Sequence, residues 1–316
     1  MRFYACLFAC IVYTCFYPSY AQDAPSRQRP SKGTDRLQSF AQQQSLQASS
    51  PYKNLIWRNV GPDIASGRCT DVWGIPGNKN IIYASFATGG IWKTTDAGKT
   101  WQPLFDKQPT LSVGNMAIAA SNPSIIYAGT GEANIFRASL PGNGMYKSED
   151  GGDTWKRTGL ENTSTIARVV IHPTNPSIVY AAAGGNEWSY NTDRGVYRTM
   201  DGGKTWKKIL YQNNKTGCID LVMDPSDPKT LYASMWNRIR KRWSDPVPED
   251  SDYIYKTTDG GNTWHIINNG LPNTKYTGRI GLAIARSNPN VVYAFVDNHE
   301  EKRKPTPGEL DPYGRP

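Results

Sequence analysis

Glu132 and Glu187 are the acidic residues of this chain whose settings could do chemistry. Each follows a glycine-rich run, Gly129-Thr130-Gly131 and Gly184-Gly185-Asn186, and each has a cation or aromatic rings close in sequence: Arg137 after the first, Trp188, Tyr190 and Asp193 after the second. Two carboxylates across a cleft are what glycoside hydrolysis requires, one as acid and one as base or nucleophile. Flat rings beside them supply stacking area for sugars. The simpler reading is a glutamate in a glycine-rich turn that pairs with a local arginine. A second concentration of chemistry is Trp236, Arg238, Arg240, Lys241, Arg242 and Trp243, echoed by Lys302, Arg303 and Lys304. Guanidinium groups grip carboxylate or sulfate through paired hydrogen bonds. The ligand-binding candidates are therefore Arg137, Trp188, Tyr190, Trp236, Arg238, Arg240, Arg242 and Trp243, with Glu132 and Glu187 as catalytic candidates; the bland alternative for the basic cluster is a solvated loop. His172, His265 and His299 lack metal-ligand spacing. No nucleophile elbow, phosphate loop or dinucleotide fingerprint is present, so neither metal nor cofactor is expected, and nothing points to nucleic acid.

The elements that position these residues repeat. Thr94–Trp101, Ser148–Trp155, Thr199–Trp206 and Thr257–Trp264 all read Ser/Thr-x-Asp-x-Gly-x-Thr-Trp, the Asp box of neuraminidase-type repeats, at a period of about fifty residues that signals a propeller or solenoid. In each copy the carboxylate (Asp96, Asp150, Asp201, Asp259) is suited to accept turn amides, the glycine to take positive φ, and the tryptophan (Trp101, Trp155, Trp206, Trp264) to open the next strand. These residues are read as structural. In phase with them run Ile81–Ala84, Ile125–Ala128, Ile178–Ala181, Thr230–Ala233 and Val291–Ala294, β-branched and aromatic stretches of strand length, four of them following an Asn-Pro or Asp-Pro turn. One unit is strand A, turn, strand B, variable loop, strand C, Asp box, strand D. That is a four-stranded antiparallel blade, and the fold class predicted is an all-β propeller with about four and a half blades present. Hairpin turns alternate between faces, so the B–C loops carrying the candidates share one face and the Asp boxes the other.

Residues 1–21 read as a signal peptide, with Arg2, an apolar run and small residues at Ser19 and Ala21. The apolar run is short for a membrane span, so a secreted, periplasmic or cell-surface protein is expected. Residues 22–53, rich in Gln and Ser, read as a flexible linker, in which 34–47 has marginal helical character; residues 54–316 read as the N-terminal part of the propeller. Leu55–Pro62 resembles a D strand lacking its own blade, so the chain is expected to continue into further blades. Cys69 and Cys218 are expected to be two separate buried thiols. The formal net charge of +9 favours acidic partners only where the charges cluster.

The combination of Trp57–Pro62, Gly89-Gly90-Ile91-Trp92-Lys93, Gly129–Glu132, Arg194-Gly195-Val196-Tyr197 and Gly278-Arg279-Ile280-Gly281 resembles the N-terminal propeller region of secreted bacterial sortilin-like repeat proteins. The resemblance covers Leu55 to about Asp297 and implies a propeller fold and export. Sialidases also use Asp boxes, but their Arg-Ile-Pro motif is absent here. Xyloglucan-cleaving two-lobed propellers resemble the first blade closely and place a catalytic Asp just before a Gly-Gly; here Ala87 stands in that place, ahead of Gly89-Gly90. The cysteine-rich modules of animal sortilins are likewise absent from this sequence. The leading expectation is a non-catalytic module that binds a peptide, glycan or protein partner, an anionic one included, on the B–C face. The alternative is a glycoside hydrolase or lyase acting on a polysaccharide, with part of its site in a C-terminal portion beyond this sequence.

Overall fold

A computed structural model describes residues 31–55, 68–134, 139–239 and 251–300. The sheets lie in one compact unit, Lys32–Pro316. Four antiparallel sheets of four strands follow one another: β1 Cys69–Ile75 to β4 Gln102–Pro103, β5 Val113–Ile118 to β8 Lys156–Gly159, β9 Ile166–Ile171 to β12 Lys207–Leu210, and β13 Thr216–Met223 to β16 His265–Ile266. β17 Thr277–Ile284 and β18 Val292–Asn298 form a fifth sheet of two strands. This is the incomplete β-propeller that the repeats predict.

Each repeated residue has a visible task. Where strand A turns into strand B, the Asn or Asp side chain caps its own turn: the Ser177 and Lys229 amides donate to Asn175 Oδ1 and Asp227 Oδ1 at 3.0 and 3.2 Å. The Asp boxes sit on the same face, because the amides of Gly151, Gly202 and Gly260 donate to the carbonyls of Ser124, Ser177 and Lys229 in those turns. Inside a box, Asp201 accepts from the Thr199 hydroxyl and the Thr205 amide at 2.8 and 2.9 Å, and from the Thr205 hydroxyl at 2.6 Å. Asp96, Asp150 and Asp259 repeat the pattern. The box tryptophans reach back onto the preceding blade: Trp155 lies edge-on to Phe105 at 5.1 Å, and Trp206 Nε1 donates to Thr158 O at 2.7 Å. Trp101, in the first described blade, stays exposed.

Hydrogen bonds from the threonine side chains and amides hold the Asp96 and Asp150 carboxyls down at about 2, against an ordinary 3.8. A depressed folded value means that the box contribution is complete above the ordinary carboxylate range and is lost as pH falls from there toward 2. Thermal melts as a function of pH should show stability declining through that window. Replacing Thr100 and Thr154 by valine should shrink the decline, and an unaltered acid profile in that variant would contradict the assignment.

The cores lie between blades. Strand B alternates, sending its tyrosine one way and its alanine the other. Tyr83, Tyr127 and Tyr180 are buried, and their hydroxyls donate to Gly151 O, Pro176 O and Gly260 O of the following blade at 3.0, 3.1 and 3.0 Å. Lys93 and Arg198 of strand C join the same carbonyls as Tyr83 and Tyr180. Tyr180→Phe should therefore cost about 1 kcal/mol, the net worth of a buried hydrogen bond; denaturant titration would measure it, and a neutral result would remove the tyrosine latch from the account.

The inner strands are also stitched. Just past a register shift on each stand Asp71, Asn115, Arg168 and Asp220. Asn115 Nδ2 donates to Asp71 Oδ2 at 2.6 Å and Val169 N to Asn115 Oδ1 at 2.8 Å. Arg168 Nε donates to Asp220 Oδ1 at 2.8 Å, and Leu282 N to Asp220 Oδ2 at 2.9 Å. Five blades are thereby joined around a cavity of about 780 Å³ lined by residues of all five inner strands, Val72, Ala117, Val169, Leu221 and Leu282 among them.

Two expectations need correction. Residues 33–49 of the expected linker are helical: α1, Gly33–Ser49, is built of Ala, Gln and Leu with Asp35 in its first turn. Its start is anchored, since Gly33 N donates to Asn162 Oδ1 at 3.2 Å and Arg36 Nη2 to Gly142 O at 2.6 Å. Cys218 is buried as expected, and burial pushes its thiol up, but Cys69 is exposed at the start of β1; both are free. The signal segment and most of Leu55–Pro62 lie outside the described residues. Among the described residues no helix is long and apolar enough to cross a membrane.

Candidate functional site

The B–C loops of the second, third and fourth blades begin where β6 (Ile126–Thr130), β10 (Val179–Ala183) and β14 (Leu231–Asn237) end. Glu132 comes two residues after β6. Gly131, at φ 89° and packed so closely that a Cβ would lie 1.9 Å from Ser164 O, turns the chain to place it. Arg68, ahead of β1, grips Glu132 bidentately, with Nε 2.6 Å from Oε1 and Nη2 on Oε2. Both carboxylate oxygens are thus occupied, and the side chain is fully buried.

Glu187 comes from the third blade, on a loop that starts with Gly184-Gly185. Its Oε2 lies 3.6 Å from Arg238 Nη2. Arg238 ties three blades together: Nη1 donates to Thr165 Oγ1 at 2.9 Å and Nη2 to Glu132 O at 2.8 Å. Arg194, just before β11 (Gly195–Thr199), is fully buried and donates Nη1 to Gly184 O at 2.6 Å and Nη2 to Asn186 O and Ser189 O. Burial, and then the neighbouring Arg238, push the Arg194 guanidinium down to about 9, which leaves it cationic at neutral pH.

Above these groups lies a cleft of about 70 Å³ lined by Glu132, Glu187, Trp188 and the polar side chains of Ser164, Thr165 and Asn186, among others. Trp188 of the lining is 50% exposed and Tyr190, two residues further along the loop, is 62% exposed, sufficient to offer a ring face to a ligand. The structure therefore brings Glu132, Glu187 and Trp188 together at one cleft.

Two candidates change role. Arg238 is enclosed at 1% exposure, so it supports the cleft from below and cannot grip a solvent-borne anion as expected. Trp236 is buried as well, with the Arg279 guanidinium 5.8 Å from its ring centre and Arg279 Nη1 held by Asn134 Oδ1 at 2.7 Å. Arg137, Arg240, Arg242, Trp243 and Lys302–Lys304 fall outside the described residues. Among the described residues no cluster of His, Cys, Asp or Glu could hold a metal ion. Arg68, Arg194 and Thr165 escaped the sequence reading. The available signal was Arg194 immediately before the glycine of a C strand, where the second blade has Asn143.

The family model described as Sortilin, neurotensin receptor 3 (Sortilin-Vps10) matches residues 143–309, just over half of the chain. The chain belongs to the Sortilin-Vps10 family. This Sortilin-Vps10 chain is also 26% identical over 285 residues to a xyloglucanase of a Paenibacillus species, covering 81% of this chain and 26% of that protein. Xyloglucanase Xgh74A of Acetivibrio thermocellus is 26% identical over 244 residues, 69% of this chain and 27% of its own length. The chain thus spans about a quarter of the length of these curated relatives. Among solved structures, an ancestral GH74 enzyme superposes with a TM-score of 0.59 at 21% identity, over 78% of this chain and 29% of that one. The GH74 xyloglucanase of Xanthomonas campestris gives 0.51 at 17% identity, over 71% and 34%. At these identities the superpositions speak for the fold.

Proposed function

We propose that the intact protein is a glycoside hydrolase acting on a xyloglucan-like polysaccharide, and that this chain supplies part of the face on which the glycan lies. The observation that carries the reading is the match to a xyloglucanase over 81% of the chain. The cleft chemistry agrees with it. Its polar lining is carboxylate, hydroxyl and amide, with the half-exposed Trp188 ring beside them, while Arg194 and Arg238 are buried in hydrogen bonds and the part-exposed Arg68 is paired with Glu132. Such a surface suits a neutral, hydroxyl-rich chain better than the anionic ligand expected from the basic residues.

A second reading, binding without hydrolysis, draws on two observations. Ala87 fills the position where the resemblance to xyloglucan-cleaving propellers places an aspartate, and it is completely buried. Both oxygens of Glu132 are held by Arg68, which leaves neither placed to receive a substrate proton. Hydrolysis therefore calls for a carboxylate other than Glu132. Incubating the intact protein with xyloglucan and following new reducing ends separates the readings: release of oligosaccharides is expected, whereas retardation in a xyloglucan gel without cleavage would favour the binding module. No retardation and no cleavage would defeat both. Trp188→Ala with Tyr190→Ala should weaken retention about tenfold if each ring contributes stacking.

A further inference from the structure

The two carboxylates of the cleft are not equivalent, and the geometry points to Glu187 and Trp188 as its ligand-contacting edge, with Arg194 as the positioning residue that sets them. This rests on the glycan reading above. Glu132 is a strut: its oxygens bind Arg68, its carbonyl accepts from Arg238, and its side chain is fully buried. Glu187 keeps 6% exposure at a 3.6 Å ion-pair distance from Arg238. It sits on a loop whose shape is dictated by one guanidinium. Arg194 bonds the carbonyls of Gly184, Asn186 and Ser189, which bracket Glu187 and Trp188 on both sides. A planar donor fork can hold three carbonyls at once; a lysine ammonium has no such fixed array.

The glycines are cut to fit. Gly185 adopts φ 73°, and a Cβ there would lie 2.4 Å from Arg194 Cγ and 2.9 Å from its Nε. The loop closes on itself through Trp188 N to Asn186 Oδ1 at 2.8 Å and Asn191 Nδ2 to Ser189 O at 2.9 Å. Asn191 N bonds Asn214 O at 3.1 Å, fixing its far end to the approach to β13. The loop is thus pre-formed around a buried cation, and Trp188 is held out into solvent at the cleft margin.

Variants at three positions test the assignment: Glu187→Gln, Glu132→Gln, and Arg194→Met alongside Arg194→Lys. Xyloglucan oligosaccharide affinity is measured by titration calorimetry, and amide hydrogen exchange is followed by mass spectrometry in the absence of glycan. Glu187→Gln should lose about tenfold in affinity, the loss expected for one charge-assisted hydrogen bond, measured at a temperature where the variant stays folded despite losing its ion pair with Arg238. Glu132→Gln should lower the melting temperature through loss of its ion pair with Arg68, and cost less affinity than Glu187→Gln does. Arg194→Met should speed exchange across residues 185–191 by about tenfold or more while the Asp-box amides keep wild-type protection, and Arg194→Lys should not restore it. Equal affinity losses for the two glutamine variants would overturn the role of Glu187. Unchanged exchange in Arg194→Met would overturn that of Arg194. A wild-type protein that binds no xyloglucan would defeat the glycan reading, and with it the role of Glu187, while the exchange measurement would still judge Arg194.

Discussion

Replacing Arg238 by alanine is expected to destabilise the protein by about 3–5 kcal/mol, the range for removing one partner of a buried ion pair. The side chain is buried at 1% exposure and serves three blades at once, through Glu132 O, Thr165 Oγ1 and the Glu187 carboxylate. Truncation removes the guanidinium 3.6 Å from the Glu187 carboxylate and leaves the Glu132 carbonyl short of a donor. Pairing Arg238→Ala with Glu187→Gln should recover part of the loss, because the Glu187 charge is removed. Denaturant unfolding of the two single variants and the double variant measures the coupling. A loss below about 1 kcal/mol would mean that water screens the pair as it screens surface ion pairs.

Asp220→Ala should come next, at about 2–4 kcal/mol by the same reasoning. One carboxylate oxygen accepts from Arg168 Nε and from its own following amide, Leu221 N, and the other accepts from Leu282 N, so the third, fourth and fifth blades meet on it. Asp220→Asn should be milder, since an amide oxygen can still receive Leu282 N. The order Ala worse than Asn worse than wild type is the expected outcome of thermal melts. Equal behaviour of Asn and Ala would show that the ion pair with Arg168 carries the whole effect.

The blade pattern was legible because its determinants are local. An Asp box is closed by hydrogen bonds within one turn, and strand B displays a two-residue alternation, so spacing alone locates Asp96, Asp150, Asp201 and Asp259 and every Tyr-Ala strand. The B–C face was legible for the same reason, since turn order fixes which loops share a side. Depth was not legible. Trp236 and Arg238 read as members of a basic loop, yet they stand at the end of β14 and just beyond it, still within the packed layer, where Arg238 turns inward onto Glu132 and Trp236 packs against Arg279 of β17, itself bonded to Asn134. Arg68 and Glu132 are 64 residues apart, and no local pattern could pair them. The helix at Gly33–Ser49 was undervalued because its propensity is modest and its anchors, Asn162 and Gly142, are distant in sequence. The exposure of Cys69 and Trp101 depends on what packs against the first blade, a relation that composition does not carry.

The measurement that bears most directly on the central claim is product analysis of xyloglucan incubated with the intact protein, alongside Trp188→Ala. The account predicts soluble oligosaccharides from the wild type and a marked slowing in the variant at sub-saturating polysaccharide, because the ring margin holds the glycan. A wild-type protein that neither cleaves xyloglucan nor is retained by it would contradict the account.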